Sequence, residues 1–443
     1  MSKMKYSEVE WIGDIPDEWS LNKLRYIYNI KGGNGFSDEF QGNTIGDIPF
    51  CKCSDINGNS KYVYTAQNYV NYDIFKKNNY NLIPKNSLIF AKIGEAMKKN
   101  HRKINSVDCC IDNNIQALIL KNNNFDNNYG YYFMKNIDMS DFDNGGPIPS
   151  INNTKLNNLI VTYPNIKEQK LIADFLDEKL SKLDNILFNL NKQVEILNKY
   201  KKQIITEVVT TGLNKNVEMK DSGIEWIGSV PKHWNIKLIK NICSLKGRIG
   251  WEGLTKDEYI SEGPTLITGI NFKDGSIDWD SCEHVSEWRF NQDKFIQIKT
   301  NDLLITKDGT VGKVALVNDC PKQVTLNSGV LLMRPLKNDY IQKYLYYVLS
   351  SNEFWHWFDI ENIGNTTIIH LYQNRFSKFK IALPPLKEQK EIVDYLEKKC
   401  EQIDKIIDEK KKQVEKIEEY KKSVIYEYVT GKKRVKGAEE LYG

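Results

Sequence analysis

The chain has 443 residues, of which 40% are hydrophobic and 27% are charged, and its formal net charge is +4. A chain of this length exceeds what one hydrophobic core organises, so several domains are expected. No run of 18 apolar residues occurs, and the N-terminal stretch lacks the apolar core of a signal peptide. These features argue against a membrane span and predict a cytoplasmic protein, while the small net charge leaves nucleic-acid binding open.

The chain opens with a segment that occurs twice. EWIGDIPDEWSLNKL at residues 10–24 matches EWIGSVPKHWNIKLI at residues 225–239, 215 positions later. The identical positions include Trp11, Gly13, Pro16 and Trp19 in the first copy and Trp226, Gly228, Pro231 and Trp234 in the second. Further matches at the same offset include Lys92 with Lys307 and Lys98 with Lys313. The sequence therefore predicts one scaffold present twice, with divergent residues between the shared positions.

Each copy of the scaffold reads as a mixture of strands and helices. Short β-rich runs such as NSLIFAKI and NDLLITK are separated by Gly, Asn and Asp turns. Helices are expected around Tyr131, around Tyr346 and near residues 155–158. The sequence therefore predicts two α+β regions of about 160 residues each.

Cysteine spacing does not favour a metal site. Eight cysteines occur, and four lie close together in the first half at Cys51, Cys53, Cys109 and Cys110. Zinc sites use spacings such as C-x2-C, which this set lacks. The second copy carries Leu266 and Thr268 opposite the first two cysteines. Reduced thiols without a metal are the better interpretation.

Basic clusters and polar loops are candidates for nucleic-acid contacts. Lysine and arginine neutralise phosphates, and Asn, Gln and Arg side chains read base edges in the major groove. MKKNHRK, LKGRIGW, GGPIPSINN and GNTTIIH supply such residues, although an ordinary solvated loop is the alternative for each one. The predicted DNA contacts are Lys31, Lys92, Lys98, Lys99, Arg102, Asn152, Asn153, Lys246, Arg248, Lys307, Lys313, Asn365, Thr366 and Thr367.

A long uninterrupted helix is predicted from Lys167 to Val209. No Pro or Gly interrupts this stretch. Its apolar seam steps by three or four residues through Leu176, Leu180, Leu183, Leu187, Leu190, Val194, Leu197, Tyr200, Ile204 and Val208. At 1.5 Å per residue the helix would be roughly 65 Å long, more than one globular domain needs.

A second long helix is predicted from Lys387 to Val429, with the same columns except that Lys410 replaces Leu190. Both seams shorten one step to three residues, at Tyr200 and at Tyr420, which indicates a duplication. A core helix or a homodimer zipper is the alternative, but two matched copies favour an antiparallel pair within one chain. The tail after Gly431 is then expected near Trp11.

Signatures of catalysis are missing from the sequence. The string GTVGK at residues 309–313 has the wrong spacing for a phosphate loop, and no Gly-rich dinucleotide fingerprint follows a strand. The five histidines show no metal spacing. We therefore expect a non-catalytic chain.

Together these features resemble the specificity subunit of a type I restriction–modification enzyme. The duplicated W-I-G-x-[IV]-P-x-x-W segment, the paired long helices and the segments YPNIKEQ and LPPLKEQ carry the resemblance. The second of these segments is close to the family pattern P-P-x-x-E-Q, and the first departs from it with Pro164-Asn165. A coiled-coil scaffold that binds only proteins is the main alternative, and a stand-alone nuclease or methylase is a third.

The resemblance implies two DNA target-recognition domains, each reading half of a split site, separated by an antiparallel pair of coiled-coil helices that acts as a ruler. It also implies docking of two modification subunits, which bind S-adenosylmethionine and methylate adenine, and of restriction subunits that use ATP and Mg²⁺. No cofactor is expected in this chain. The predicted partner contacts are Trp11, Trp19, Leu183, Leu187, Trp226, Trp234, Ile403 and Ile407.

The implied domain boundaries follow the repeat. They are residues 1–165 and 213–385 for the two target-recognition domains, 166–212 and 386–431 for the long helices, and 432–443 for the tail.

Overall fold

The computed structural model describes residues 3–58, 60–249, 254–362, 370–438 and 441. The chain divides into two compact units. Unit 1 comprises Met1–Leu190 with Lys412–Gly443, and unit 2 comprises Asn191–Lys411. The predicted domain boundaries, which keep each long helix whole, stay a prediction.

Unit 1 contains short strands and short helices, together with the first part of a long helix. Its strands are β1 (Met4–Tyr6), β2 (Asp14–Pro16), β3 (Ser20–Lys23), β4 (Tyr28–Gly32), β5 (Ile48–Cys51), β6 (Tyr62–Val63), β7 (Asn68–Val70), β8 (Leu88–Ala91), β9 (Arg102–Asn105), β10 (Cys110–Ile111), β11 (Ile115–Leu120) and β12 (Ile160–Tyr163). Its helices are α1 (Leu24–Ile27), α2 (Tyr72–Lys77), α3 (Gly94–Lys98), α4 (Asn127–Lys135), α5 (Asn153–Asn157) and the start of α6 (Ile166–Thr211).

The main sheet of unit 1 has the strand order β4-β11-β8-β9-β6, and a second sheet has the order β10-β5-β7. Strand β11 pairs antiparallel with both β4 and β8, so that Gln116 lies opposite Gly32 on one side and Phe90 on the other. This register brings the end of β4 and the end of β8 close to the turn that precedes β11. The turn therefore lies close to Lys31, near the end of β4, and to Lys92, which follows β8; both are predicted DNA contacts.

Unit 2 repeats this plan with different details. Its strands are β13 (Met219–Asp221), β14 (Ser229–Pro231), β15 (Asn235–Leu238), β16 (Cys243–Lys246), β17 (Ile260–Ile267), β18 (Phe272–Lys273), β19 (Ser276–Ile277), β20 (Glu283–His284), β21 (Leu303–Thr306), β22 (Val314–Leu316), β23 (Val324–Leu326), β24 (Val330–Pro335) and β25 (Lys380–Leu383). Its helices are α7 (Ile239–Ile242), α8 (Glu287–Asn291), α9 (Gln342–Ser350), α10 (Asn352–Glu361), α11 (Gln373–Phe376) and most of α12 (Leu386–Val429). The main sheet has the order β16-β24-β21-β22, and a second has the order β20-β17-β23.

The two long helices begin and end for local reasons. Asn165 caps α6, because its side-chain oxygen accepts hydrogen bonds from the backbone N–H groups of Lys167 and Glu168 at 3.0 Å each. The departure from Pro-Pro in the first copy thus supplies a helix cap. Gly212 and Gly431 follow the two helices with φ of +71° and +70°, a conformation that favours glycine and stops a helix.

The helices pair antiparallel inside each unit. In unit 1, Asp184 of α6 forms an ion pair with Lys421 of α12, while the rings of Phe175 and Tyr428 lie 4.5 Å apart. In unit 2, the Lys410 ammonium donates to the side-chain oxygen of Gln193 at 2.6 Å, and the Lys201 ammonium lies 2.6 Å from a carboxylate oxygen of Asp404. The α6 number rises as its α12 partner falls, so the predicted antiparallel pairing is confirmed within each unit.

The predicted fold class is confirmed as two repeated α+β domains with two long helices. The predicted apolar seam is wrong at one position in each long helix, because Tyr200 and Tyr420 are about half exposed rather than buried. Their hydroxyls favour solvent, and the Lys179 ammonium lies 5.7 Å from the centre of the Tyr420 ring. The tail after α12 packs where the sequence predicts, since the Lys432 ammonium donates to the backbone oxygen of Asp14 and the Arg434 guanidinium to the side chain of Glu18, in the segment that begins at Trp11.

Candidate functional site

In unit 1, a predicted basic residue and a predicted polar loop lie side by side. Lys92 follows strand β8, and its backbone oxygen accepts a hydrogen bond from the N–H of Ile151 at 3.0 Å. The N–H of Gly94 donates to the oxygen of Pro149 at 2.7 Å. These two bonds fix the loop at residues 145–153 against the end of β8. The structure therefore brings together two regions that are about 55 to 60 residues apart in the sequence.

The two asparagines of this loop already have partners within the unit. The side-chain oxygen of Asn152 caps α5 by accepting from the N–H groups of Thr154 and Lys155 at 3.0 Å. The side-chain oxygen of Asn153 accepts from the Gln116 amide of β11 at 2.8 Å. Both side chains are held in place, and their amide N–H groups remain the atoms that could donate to DNA.

Three further lysines predicted as DNA contacts belong to unit 1. The Lys31 ammonium on β4 donates to the oxygen of Leu82 at 3.4 Å, and its side chain is half-buried. Lys98 and Lys99 are exposed at the end of α3. Lys98 forms an ion pair of 2.8 Å with Glu95, which raises the pKa of the Lys98 ammonium. Part of the positive charge predicted at this helix is therefore neutralised locally.

Arg102 is not a surface contact, and its prediction as a DNA contact is wrong. The residue is 3% exposed, and its guanidinium donates to the backbone oxygen of Asn100 at 2.9 Å and to that of Ile137. Burial lowers the pKa of Arg102 to about 10, which leaves it charged at neutral pH. Its guanidinium is buried and donates to carbonyl oxygens inside unit 1, so it is not placed to contact a phosphate.

Unit 2 repeats the backbone frame of this site. Lys307 follows strand β21, and its backbone oxygen accepts from the N–H of Leu371 at 2.9 Å, matching the bond that Lys92 accepts. Lys313 is exposed, and Lys246 at the end of β16 is exposed with its ammonium 5.1 Å from the ring centre of Phe295. The predicted lysines of unit 2 are thus available at the surface. The predicted contacts Asn365, Thr366 and Thr367 lie outside the described residues.

Arg248 is the second wrong prediction among the basic residues, since it is 1% exposed. Its guanidinium donates to the Leu326 oxygen at 2.9 Å, the Thr325 hydroxyl at 3.1 Å and the Gln292 side-chain oxygen at 3.3 Å. A buried arginine that serves three acceptors positions its neighbours and does not bind a phosphate.

Known proteins match both halves of the chain. A sequence model of the family described as "Type I restriction modification DNA specificity domain" matches residues 16–202 and again residues 231–416. The chain belongs to this family. It is 27% identical over 439 residues to the putative type I restriction enzyme MjaX specificity subunit of Methanocaldococcus jannaschii, covering 96% of each chain.

Two further comparisons agree with this family. The chain is 21% identical over 410 residues to the type I restriction enzyme EcoBI specificity subunit of Escherichia coli, covering 88% of this chain and 81% of that one. A chain of a solved structure described as the "structural basis underlying complex assembly and conformational transition of the type I R-M system" matches with a TM-score of 0.69 and 13% identity. That match covers 94% of this chain and 98% of the other, and it supports the fold.

The glutamine of the K-E-Q segment makes equivalent hydrogen bonds in both units. The fully buried Gln169 accepts from the N–H of Asp126 at 2.7 Å and donates to the Pro164 oxygen at 2.9 Å. Gln389 accepts from the N–H of Ile341 at 2.8 Å and donates to the Pro384 oxygen at 2.8 Å. Each glutamine joins the start of a long helix to the start of a short one, which explains structurally why this segment occurs in both copies.

A pair of tyrosines was missed in the sequence although the offset of 215 points to it. The Tyr129 hydroxyl lies 2.8 Å from the Thr162 oxygen and 2.9 Å from the Val429 oxygen. The Tyr344 hydroxyl contacts the Ala382 and Val209 oxygens in the same way, at 2.9 and 3.2 Å. In each unit a buried tyrosine therefore connects a strand to the end of a long helix.

Most of the predicted partner contacts are packed inside their own unit. Trp19, Trp234, Leu183, Ile403 and Ile407 are all buried in the hydrophobic cores, so their prediction as partner contacts is wrong. Large apolar side chains at these positions stabilise the units by burial rather than by docking.

The remaining predicted partner contacts, Trp11, Trp226 and Leu187, retain some exposure. The Trp226 indole N–H donates to the Lys380 oxygen at 3.1 Å, so only part of that ring is open to a partner.

Among the described residues, no group of three or more His, Cys, Asp or Glu side chains could hold a metal ion. No helix among them is long and apolar enough to cross a membrane. Burial raises the pKa of the Cys110 thiol to about 12, which favours its protonated form at neutral pH.

Proposed function

We propose that this chain is the DNA-reading subunit of a type I restriction–modification complex. Each unit reads one half of a bipartite duplex site and supplies no catalytic group of its own. The observation that carries the proposal is the repeated frame at Lys92 and Lys307, where the backbone oxygen of each lysine accepts a hydrogen bond, from Ile151 in unit 1 and from Leu371 in unit 2. A fixed frame with different side chains is what two different half-sites require.

Phosphate contacts at this frame would supply most of the affinity. The exposed or half-buried lysines at both frames, Lys31, Lys92, Lys98, Lys99, Lys246, Lys307 and Lys313, are suited to neutralise backbone charge. Base contacts would come from the loops, because phosphates carry no sequence information. The division of work between lysines and loops predicts that lysine substitutions weaken all DNA binding, whereas loop substitutions change the sequence read.

The long helices would dock two modification subunits and, through them, restriction subunits. Several large apolar side chains on α6 and α12 are exposed, namely Leu171, Ile186, Phe188, Ile196, Tyr395 and Ile406. Exposed apolar side chains on a helix are candidates for a partner surface. They replace the buried tryptophans and leucines as our candidate docking residues, and the helices would set the gap between the half-sites.

The chemistry would lie entirely in the partners. The modification subunits would bind S-adenosylmethionine and methylate adenine, and the restriction subunits would use ATP and Mg²⁺. The absence of a phosphate loop or dinucleotide fingerprint from the sequence supports this division. Methyl transfer by the purified chain alone would contradict it.

Co-expression with a modification subunit tests the proposal directly. Methylated adenines mapped by sequencing should form one bipartite motif, and exchange of one unit's variable region for that of a relative should change one half only. Binding of the assembled complex to duplex DNA should weaken steeply with salt. A protein-only scaffold would give neither a motif nor a salt-dependent DNA complex.

A further inference from the structure

Unit 1 contains a polar cavity that the sequence did not indicate. Its volume is about 420 Å³, and it lies between the second sheet and the turn before β11. Its lining includes Gln41, Lys52, Gln67, Asn68, Asp112 and Asn114. Gln41, Gln67 and Asn114 are exposed, whereas Asn68 and Asp112 are buried. The cavity therefore has an exposed rim of side-chain amides above a buried polar floor.

One carboxylate positions two of the rim residues. Asp55 accepts from the backbone N–H of Lys52 at 2.7 Å through one oxygen and from that of Gln67 at 3.0 Å through the other. The two rim segments are 15 residues apart in the sequence and are tied to one side chain. Because these bonds use backbone donors, the side chains of Lys52 and Gln67 stay available for a ligand.

The floor residues hold the other two rim segments in the same manner. The Asn68 side-chain oxygen accepts from the N–H of Gly42 at 2.8 Å, next to Gln41. An oxygen of Asp112 accepts from the N–H of Asn114 at 2.8 Å. Each rim segment is therefore fixed by a side chain that bonds its backbone. Recognition sites that bind with high specificity are pre-organised by such supporting bonds.

The cavity adjoins the frame that carries Lys92. The backbone oxygen of Asn114 accepts from the N–H of Lys92 at 2.9 Å, and Gln116 two residues later bonds Asn153. One short turn thus forms a wall of the cavity and also contacts the variable loop. DNA lying on Lys92 and the loop would pass the rim amides.

The charge at the rim also differs from that of helix α3. The Lys52 ammonium lies 5.4 Å from the centre of the Phe36 ring, whereas the Lys98 ammonium is paired with Glu95. The Asp55 oxygens are engaged by backbone donors, which partly offsets their repulsion of a phosphate. The Gln41 amide donates to Asp38, so the rim offers one cation and the amides of Gln67 and Asn114, a set suited to a base edge and its adjacent phosphate.

We propose that the rim of this cavity, rather than Lys98 and Lys99 at the end of α3, reads an adenine in the half-site bound by unit 1. Gln67 and Asn114 would contact the base edge, since an amide pairs with the N6 and N7 atoms of adenine. Lys52 would contact the neighbouring phosphate. This inference rests on the proposed function and names the residues that determine its specificity.

The test uses the full chain co-expressed with a modification subunit, with Gln67→Ala and Asn114→Ala as variants. Both side chains are exposed and their backbone bonds survive the substitution. We expect methylome sequencing to show a motif relaxed at one position of one half-site, with the other half unchanged. Affinity of the assembled complex for the original site should fall roughly tenfold or more.

A matched control and a change of chemistry complete the design. Asn124→Ala removes an exposed amide beyond the opposite end of β11 and should leave motif and affinity unchanged. Gln67→Glu replaces the donor amide by an acceptor and should lose adenine at the same position in favour of cytosine, whose N4 group donates. A folding defect alone would not change which base is read.

The outcomes separate the inference from the proposed function. An unchanged motif and affinity in all the rim variants, with the original chain still producing a bipartite motif, would overturn the inference alone. Failure of the original chain to direct any methylated motif would overturn the proposed function and this inference with it.

Discussion

Glu168, which is fully buried at the start of α6, forms a two-contact ion pair with Arg434, which follows α12. The guanidinium Nε and Nη2 atoms lie 3.0 and 2.9 Å from the two carboxylate oxygens. Arg434 also contacts Glu18, so one arginine joins the N-terminal segment, the first long helix and the tail of unit 1. A buried charge of this kind is tolerated only while its partner is present.

Arg434→Met should therefore destabilise unit 1. Removal of one partner from a buried ion pair leaves the other charge unpaired, which costs about 3–5 kcal/mol. Hydrogen exchange of unit 1 amides measures the effect, and exposed Lys436→Met is the control. If Glu168→Gln combined with Arg434→Met were no more stable than Arg434→Met alone, the unpaired charge would not be the cause.

Glu353 in α10 should make the stability of unit 2 depend on pH. It is 2% exposed, its carboxyl oxygens have no hydrogen-bond partner among the described residues, and burial raises its pKa well above the usual value. The unfolded chain then binds fewer protons than the folded one as soon as pH exceeds about 4.3, the ordinary pKa of Glu. Stability should fall by up to about 1.4 kcal/mol per pH unit until the folded pKa is reached.

Glu353→Gln removes this titration, so the variant should be more stable than the original chain at pH 8 and lose that advantage near pH 4. Denaturant unfolding, monitored by hydrogen exchange of unit 2 amides, measures the stability at both pH values. Glu361→Gln, at the exposed end of the same helix, should show no such trend. An equal pH dependence in the Glu353→Gln chain would assign the effect to another group.

Gln389→Leu should loosen the junction between α12 and α9. The substitution leaves the N–H of Ile341 and the oxygen of Pro384 without their partner. A buried polar group left unsatisfied costs about 1–3 kcal/mol. Thermal unfolding of the full chain should show the loss, whereas exposed Gln203→Leu should change little. Equal melting temperatures of the Gln389→Leu and Gln203→Leu chains would contradict the role assigned to Gln389.

Lys92→Ala and Arg102→Met should behave in opposite ways. Loss of a phosphate contact at Lys92 should weaken DNA binding by the assembled complex across all sequences and reduce the salt slope by about 1. Arg102→Met should instead lower the unfolding temperature of unit 1, because its acceptors at Asn100 and Ile137 lose their donor. A full salt slope in the Lys92→Ala complex would remove this lysine from the interface.

Local patterns in the sequence determined the parts of this protein that depend on neighbouring residues. The helical spacing of Leu176, Leu180 and Leu183 predicts α6, because residues three and four apart share one face of a helix. The repeats at Trp11 and Trp226 predict the duplicated fold in the same way. Both conclusions hold because periodicity and repetition are written along the chain.

Only the tertiary structure decided which polar side chains are exposed. Arg102 and Lys98 belong to one basic run. Arg102 is nevertheless buried and donates to the backbone oxygen of Ile137, 35 residues away, whereas Lys98 is exposed. Likewise, Asp55 serves both Lys52 and Gln67, and the turn at Asn114 closes the same cavity from another strand. Burial and cavity walls depend on contacts between distant segments, which no local pattern of residue types encodes.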